Sequence, residues 1–183
     1  MTRAAIEELL RASDPLRAAR AAGVGAGDGR TVTVVHGPPA GALVDGDGEG
    51  AVAAHRAAHE AGRPSEAAVA YGAGHDPAVV AARIADLADL ARATGLLRAV
   101  CPVPAEGTPE RPGSWGVEDL TIVAACRLAM PDGVAVRPHW RRLGPAACQI
   151  AVAFGASEWL VPEDDRTDVD RLAAGVGAGL ASP

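Results

Sequence analysis

Apolar side chains at Ile6, Leu9, Leu10 and Leu16 recur at helical spacing through residues 3–21, so the chain opens on an amphipathic helix interrupted or restarted at Asp14-Pro15. The stretch TVTVV, residues 31–35, is β-branched and reads as a strand. From residue 49 a regular alternation sets in. Helices are expected at 49–62, 77–94, 117–130, 144–154 and 166–175, separated by strands at 66–72, 96–103, 134–140 and 158–162. Strands alternating with helices of this length mean consecutive βα units and a mainly parallel sheet, hence an α/β fold. The tail, AAGVGAGLASP, is too rich in small residues to pack firmly and is expected to fray.

The connectors carry two patterns that imitate ligand loops. Glycines at 23, 25, 27 and 29 suggest a dinucleotide fingerprint, yet they follow a helix and precede a strand, the reverse of what that loop requires. Asp45, Asp47, Glu49 and Gly50 resemble the first half of a calcium loop, but Arg56 stands where the bidentate glutamate belongs. Both segments read as connectors.

Composition narrows the chemistry. All 17 basic residues are arginine, so neither a Schiff-base lysine nor a phosphate-loop lysine exists here. The net charge of −6, spread along the chain, leaves no basic stripe for nucleic acid. No apolar run approaches the roughly 20 residues of a bilayer span, and two acids in MTRAAIEELLRASDPL occupy the place of a signal peptide's apolar segment. A cytoplasmic protein that binds neither membrane nor nucleic acid is expected. Cys101, Cys126 and Cys148 lie far apart, with no CxxC, and read as reduced core thiols.

Candidate site residues come from position. In a parallel sheet, ligands gather at the C-terminal strand ends, where the sequence places His36, His75, Asp76, Glu106, Arg137, His139 and Glu163. Arg137 and His139 alternate on one predicted strand and so point to one side, where they could hold a carboxylate or phosphate. His75 precedes Asp76-Pro77, a helix cap followed by a first-turn proline. These three, His75, Arg137 and His139, form the expected ligand-binding set. Glu118 and Asp119 open a helix and read as compensation of its dipole. His55 and His59 in HRAAHE share a helix face, but two imidazoles are not a metal site, and the zinc-protease pattern is absent. No catalytic residue, metal or cofactor is expected.

Three blocks, HRAAHEAGRPSEAAVAYG, GSWGVEDLTIVAACRLAMPD and HWRRLGPAACQIAVAFGAS, resemble consecutive parts of the C-terminal half of the radical SAM enzymes of futalosine-dependent menaquinone synthesis. These are aminofutalosine synthase, dehypoxanthine futalosine cyclase and the related FO synthase. The resemblance runs from residue 49 to 157, with a fainter one in LLRASDPLRAA and RTVTVV. It implies a truncated TIM-barrel-like core over residues 31–175, preceded by an N-terminal helix and connector (1–30) and followed by a flexible tail (176–183), all in one domain. In that family, the strand resembling TVTVV leads into a CxxxCxxC loop that holds a [4Fe–4S] cluster; here HGPPAGALVDGDG takes its place. Tyr71, Gly72, Ala73, Gly74 and His75 also stand where the family has a YGHxE-like run. The resemblance therefore implies a cluster-less, non-catalytic relative acting as a partner-binding or small-molecule-binding accessory protein. A cluster-independent enzyme on a small anionic or nucleoside-like substrate is the alternative. Five strands cannot close a barrel that takes eight, so the sheet should keep open edges, with the apolar TVTVV among them. That implies a homodimer or a radical SAM synthase as partner.

Overall fold

The computed structural model describes residues 1–25, 30–36, 43–44, 49–106 and 116–181. Much of the HGPPAGALVDGDG loop, with Asp45 and Asp47 of the calcium-loop imitation, lies outside the described residues, as do residues 113–115 of the second resembling block.

Helix α1 (Arg3–Arg11) starts where the Thr2 hydroxyl accepts the Ala5 amide, and α2 (Pro15–Ala21) where Asp14 caps the Arg17 amide ahead of a first-turn proline. The interruption at Asp14-Pro15 is real, because proline supplies no amide to continue α1. Strand β1 (Thr31–His36) is followed by β2 (Leu43–Val44), α3 (Glu49–Glu60), β3 (Ser65–Tyr71), α4 (Pro77–Thr94), β4 (Leu97–Pro104) and α5 (Val117–Ala129). Then come β5 (Ala135–Val136), α6 (Trp140–Leu143), α7 (Pro145–Ala151) with a 3₁₀ turn over Val152–Phe154, β6 (Glu158–Val161), α8 (Val169–Gly175) and β7 (Gly179–Ala181).

All pairings among the described residues are parallel. One sheet has the order β2-β3-β4-β5, the other β6-β1-β7. They meet at Ser157, whose amide donates to the Val136 carbonyl while its own carbonyl accepts the Thr33 amide and its hydroxyl accepts the Val136 amide. Parallel strands need crossover connections, and the helices supply them.

Alternation along the strands separates two faces. Ala67, Val69 and Tyr71 of β3 face the helix layer and join Val80, Ile84 and Leu87 of α4 and Ile122, Val123 and Cys126 of α5 in the main core. Along β4 the register slips between Ser65 and Glu66 of its partner, opposite Leu97 and Ala99, so Arg98 is an inserted residue. That bulge changes the phase of the strand, and both Leu97 and Val100 reach the same core. A second core joins Val32 of β1 and Trp159 and Val161 of β6 to Trp140, Cys148 and Ala173. Helices α1 and α2 lie over α4 and α5.

Three expectations change. The strand foreseen over 134–140 ends at Val136, because Pro138 has no amide for a ladder and His139 turns to cap α6. The tail does not fray throughout: Gly179–Ala181 forms β7 beside β1. Consequently β1 is not an open edge; β6 pairs with one side of it and β7 with the other. No helix among the described residues is long and apolar enough to cross a membrane.

Candidate functional site

Beyond the C-terminal end of β3 the chain turns through Gly72-Ala73-Gly74, with the His75 amide donating to the Gly72 carbonyl at 2.9 Å. Gly72 and Gly74 take φ values of 93° and 90°, a backbone region open to glycine and strained for other residues. The turn delivers His75 and then Asp76, whose carboxylate caps α4 through the Ala78 amide (2.8 Å) and pairs with Arg11 of α1 (2.9 Å). Tyr71, the last residue of β3, is buried and donates its hydroxyl proton to Asp119 at 2.7 Å. Asp119 and Glu118 occupy the first turn of α5.

These elements line an open-sided cavity of about 370 Å³ between α1, the β3–α4 turn, α4 and α5. Leu10, Pro15, Val80 and Ile122 give it apolar walls; Tyr71, His75, Glu118 and Thr121 supply its polar groups. The Thr121 hydroxyl is committed to the Val117 carbonyl at 2.6 Å. Burial raises the carboxyl of Glu118 above its ordinary range, the charge of neighbouring Asp119 adds to this, and His75 opposes it.

Of the three residues expected to bind ligand, only His75 lines this cavity. Arg137 is buried in the sheet, its terminal nitrogens on Glu66 of β3 at 2.7 and 3.0 Å and a further pair of contacts on Glu158 of β6. His139 accepts the Arg142 amide through Nδ1 (3.3 Å) as the cap of α6. The two therefore do not share a strand face. Of the other strand-end residues, His36 and Glu163 are exposed, and Glu106 pairs with Arg142 at 3.4 Å.

His55 and His59 bind hydroxyls. Ser65 Oγ lies 2.8 Å from His55 Nδ1 and 2.8 Å from His59 Nε2, and His59 Nδ1 lies 2.8 Å from Thr94 Oγ1. Since Thr94 donates its proton to the Leu90 carbonyl (2.9 Å), it accepts from His59 Nδ1. Ser65 then donates to His59 Nε2 and accepts from His55 Nδ1. The buried His55 Nε2 is left as a lone pair without a hydrogen-bond partner. Burial lowers the pKa of both imidazoles. Among the described residues no group of three or more His, Cys, Asp or Glu side chains is arranged to hold a metal ion.

Sequence reasoning placed Glu118 and Asp119 at a helix start but missed that the cavity lies there, because its walls come from α1 and α4 as well. It also passed over Ser65 and Glu66. A serine and a glutamate heading the apolar run AAVAY were the available signal, since polar groups at a buried strand start need partners.

Comparison of the chain with protein-family models and with curated proteins finds no match.

Proposed function

We propose that the chain is a non-catalytic, cluster-less relative of the radical SAM synthases of futalosine-dependent menaquinone synthesis, and that it binds a small molecule in the cavity at the end of β3. The observation that carries the binding function is the cavity, of about 370 Å³. Small-ligand pockets span roughly 300–1,000 Å³ and combine apolar walls with a few polar groups. Its position beyond a parallel strand's C-terminal end is where such sheets collect ligands.

Kinship rests on the three resembling blocks and draws support from strand order. β1 lies beside β6, a strand distant in sequence, as the first strand of a closed βα barrel lies beside one from the far end of the chain, while its sequence neighbour β2 pairs elsewhere and the last strand, β7, takes its other edge. The discontinuity falls where the cluster loop is replaced. Binding is favoured over turnover because the described lining residues include no serine, cysteine or lysine, and the hydroxyl protons of Tyr71 and Thr121 are already given to Asp119 and Val117.

Mass spectrometry of small molecules released from the purified protein, with a thermal-shift screen that includes nucleosides, tests this reading. Val117 lines the cavity and is 52% exposed, so Val117→Trp obstructs the cavity without disturbing the core. A ligand that stabilises the natural protein and not this variant is the expected result. Equal stabilisation of both, or of neither by any compound, overturns the reading.

A further inference from the structure

The chemistry of the cavity's occupant can be taken one step further, given the reading above that the cavity is a binding site. The hydroxyls with fixed hydrogen-bond direction have no proton to offer a ligand. Tyr71 and Thr121 give their protons to Asp119 and the Val117 carbonyl, and Glu118 adds a carboxylate. Among the described residues no arginine lines the cavity; Arg11, adjacent in sequence to Leu10, is held by Glu7 and Asp76. Of the described lining side chains only the His75 imidazole can balance negative charge. Burial and the Asp119 carboxylate both act against ionisation of Glu118 and His75 opposes them, and a further positive charge placed beside the carboxyl adds to that opposition. The dipole at the start of α5 compensates only part of the cost of ionisation.

We infer that the cavity takes a small organic cation, an amidinium or protonated amine on an apolar ring or chain. Its charged end rests on Glu118 and its apolar body lies among Leu10, Val80 and Ile122. A carboxylate or phosphate ligand fits poorly, because it would meet Glu118 with no arginine among the described lining residues to offset the repulsion.

Benzamidine, benzamide and benzoate share one shape and differ in charge, so they separate the contribution of the cation from that of the apolar body. Their dissociation constants are read from backbone amide shifts of residues 71–77 and 117–122 in the natural protein, Glu118→Gln and Val117→Trp. Benzamidine is expected to bind at least about tenfold more tightly than benzamide, the size of one charge-assisted hydrogen bond, with benzoate weakest. Glu118→Gln should remove that preference, Val117→Trp should remove binding altogether, and benzamidine should weaken as pH falls through the raised pKa of Glu118. If benzamide or benzoate matches benzamidine, or the preference survives Glu118→Gln, the cation inference is overturned while the cavity remains a binding site. If none of the three shifts these amides, the cavity reading fails and the inference with it.

Discussion

Glu66, the second residue of β3, receives both terminal nitrogens of Arg137 from 71 residues away, at 2.7 and 3.0 Å, with both partners almost fully buried. Glu158 takes a second side of the same guanidinium, so two carboxylates share one cation and tie β3 to β6 across the junction of the two sheets. Burial alone would lower the pKa of Arg137, but the hydrogen bond to Glu66 and the charge of Glu158 raise it.

Removing that cation leaves the buried carboxylate of Glu66 and the half-buried one of Glu158 without their shared counter-charge. Arg137→Ala is expected to cost about 3–5 kcal/mol, the range for stripping one partner from a buried ion pair. Glu158→Gln, which removes the surplus negative charge while keeping an acceptor oxygen, should cost clearly less. Urea denaturation of the two variants checks the order; an Arg137→Ala protein as stable as the natural one would refute the clamp.

The Ser65 hydroxyl joins two buried imidazoles, so Ser65→Ala should cost about 1–3 kcal/mol for each ring nitrogen left without a partner. Both imidazoles have lowered pKa values in the fold, so the unfolded chain binds more protons as pH falls. Their contribution is full above the unfolded value of about 6.5 and is lost as pH drops through it toward the folded values. The urea midpoint should therefore fall between about pH 7 and pH 5. A His55→Gln/His59→Gln protein should show a flatter profile, and an equally steep one would refute the assignment.

Burial pushes the thiols of Cys126 and Cys148 up to about 12. Neither offers a thiolate near neutral pH, and Cys101 is buried as well. Ellman's reagent should find little reactive thiol in the folded protein and all three after unfolding. Anaerobic reconstitution should leave no stoichiometric iron held by these cysteines. Iron retained in proportion to protein, and lost on Cys→Ala substitution, would contradict this.

Val32 is fully buried between β6 and β7, so Val32→Asp should cost about 3–5 kcal/mol or more by burying an unpaired charge. It tests stability and not association. Leu180 of β7 is 38% exposed, and Leu180→Asp should fold normally. If copies pair through this strand, light scattering across a concentration series will show that variant dissociating; a mass unaffected by Leu180→Asp places any association elsewhere.

The alternation of elements was legible in the sequence because it is local. Period-3.6 apolar spacing in α4, the Asp76-Pro77 start and the Gly95 stop (φ 66°) define that helix without reference to anything distant. The run AAVAY has the same self-sufficiency as a strand. His75 could be picked out because a residue just past a parallel strand lies at the ligand-collecting end whatever the neighbours are. Other features depended on partners remote in sequence. Arg137 looked like a free strand-end cation, and only the approach of Glu66 and Glu158 from two other strands made it a buried clamp. Glu118 looked like a dipole charge, and only the packing of α1 and α4 beside α5 made it part of a cavity's lining. Gly179–Ala181 has no strand signature of its own; it becomes β7 because β1, already paired with β6, offers its other edge. Local propensity and periodicity determined which segments became helices and strands, while pairing across long sequence separations decided which polar side chains were consumed as structure and which were left facing a cavity.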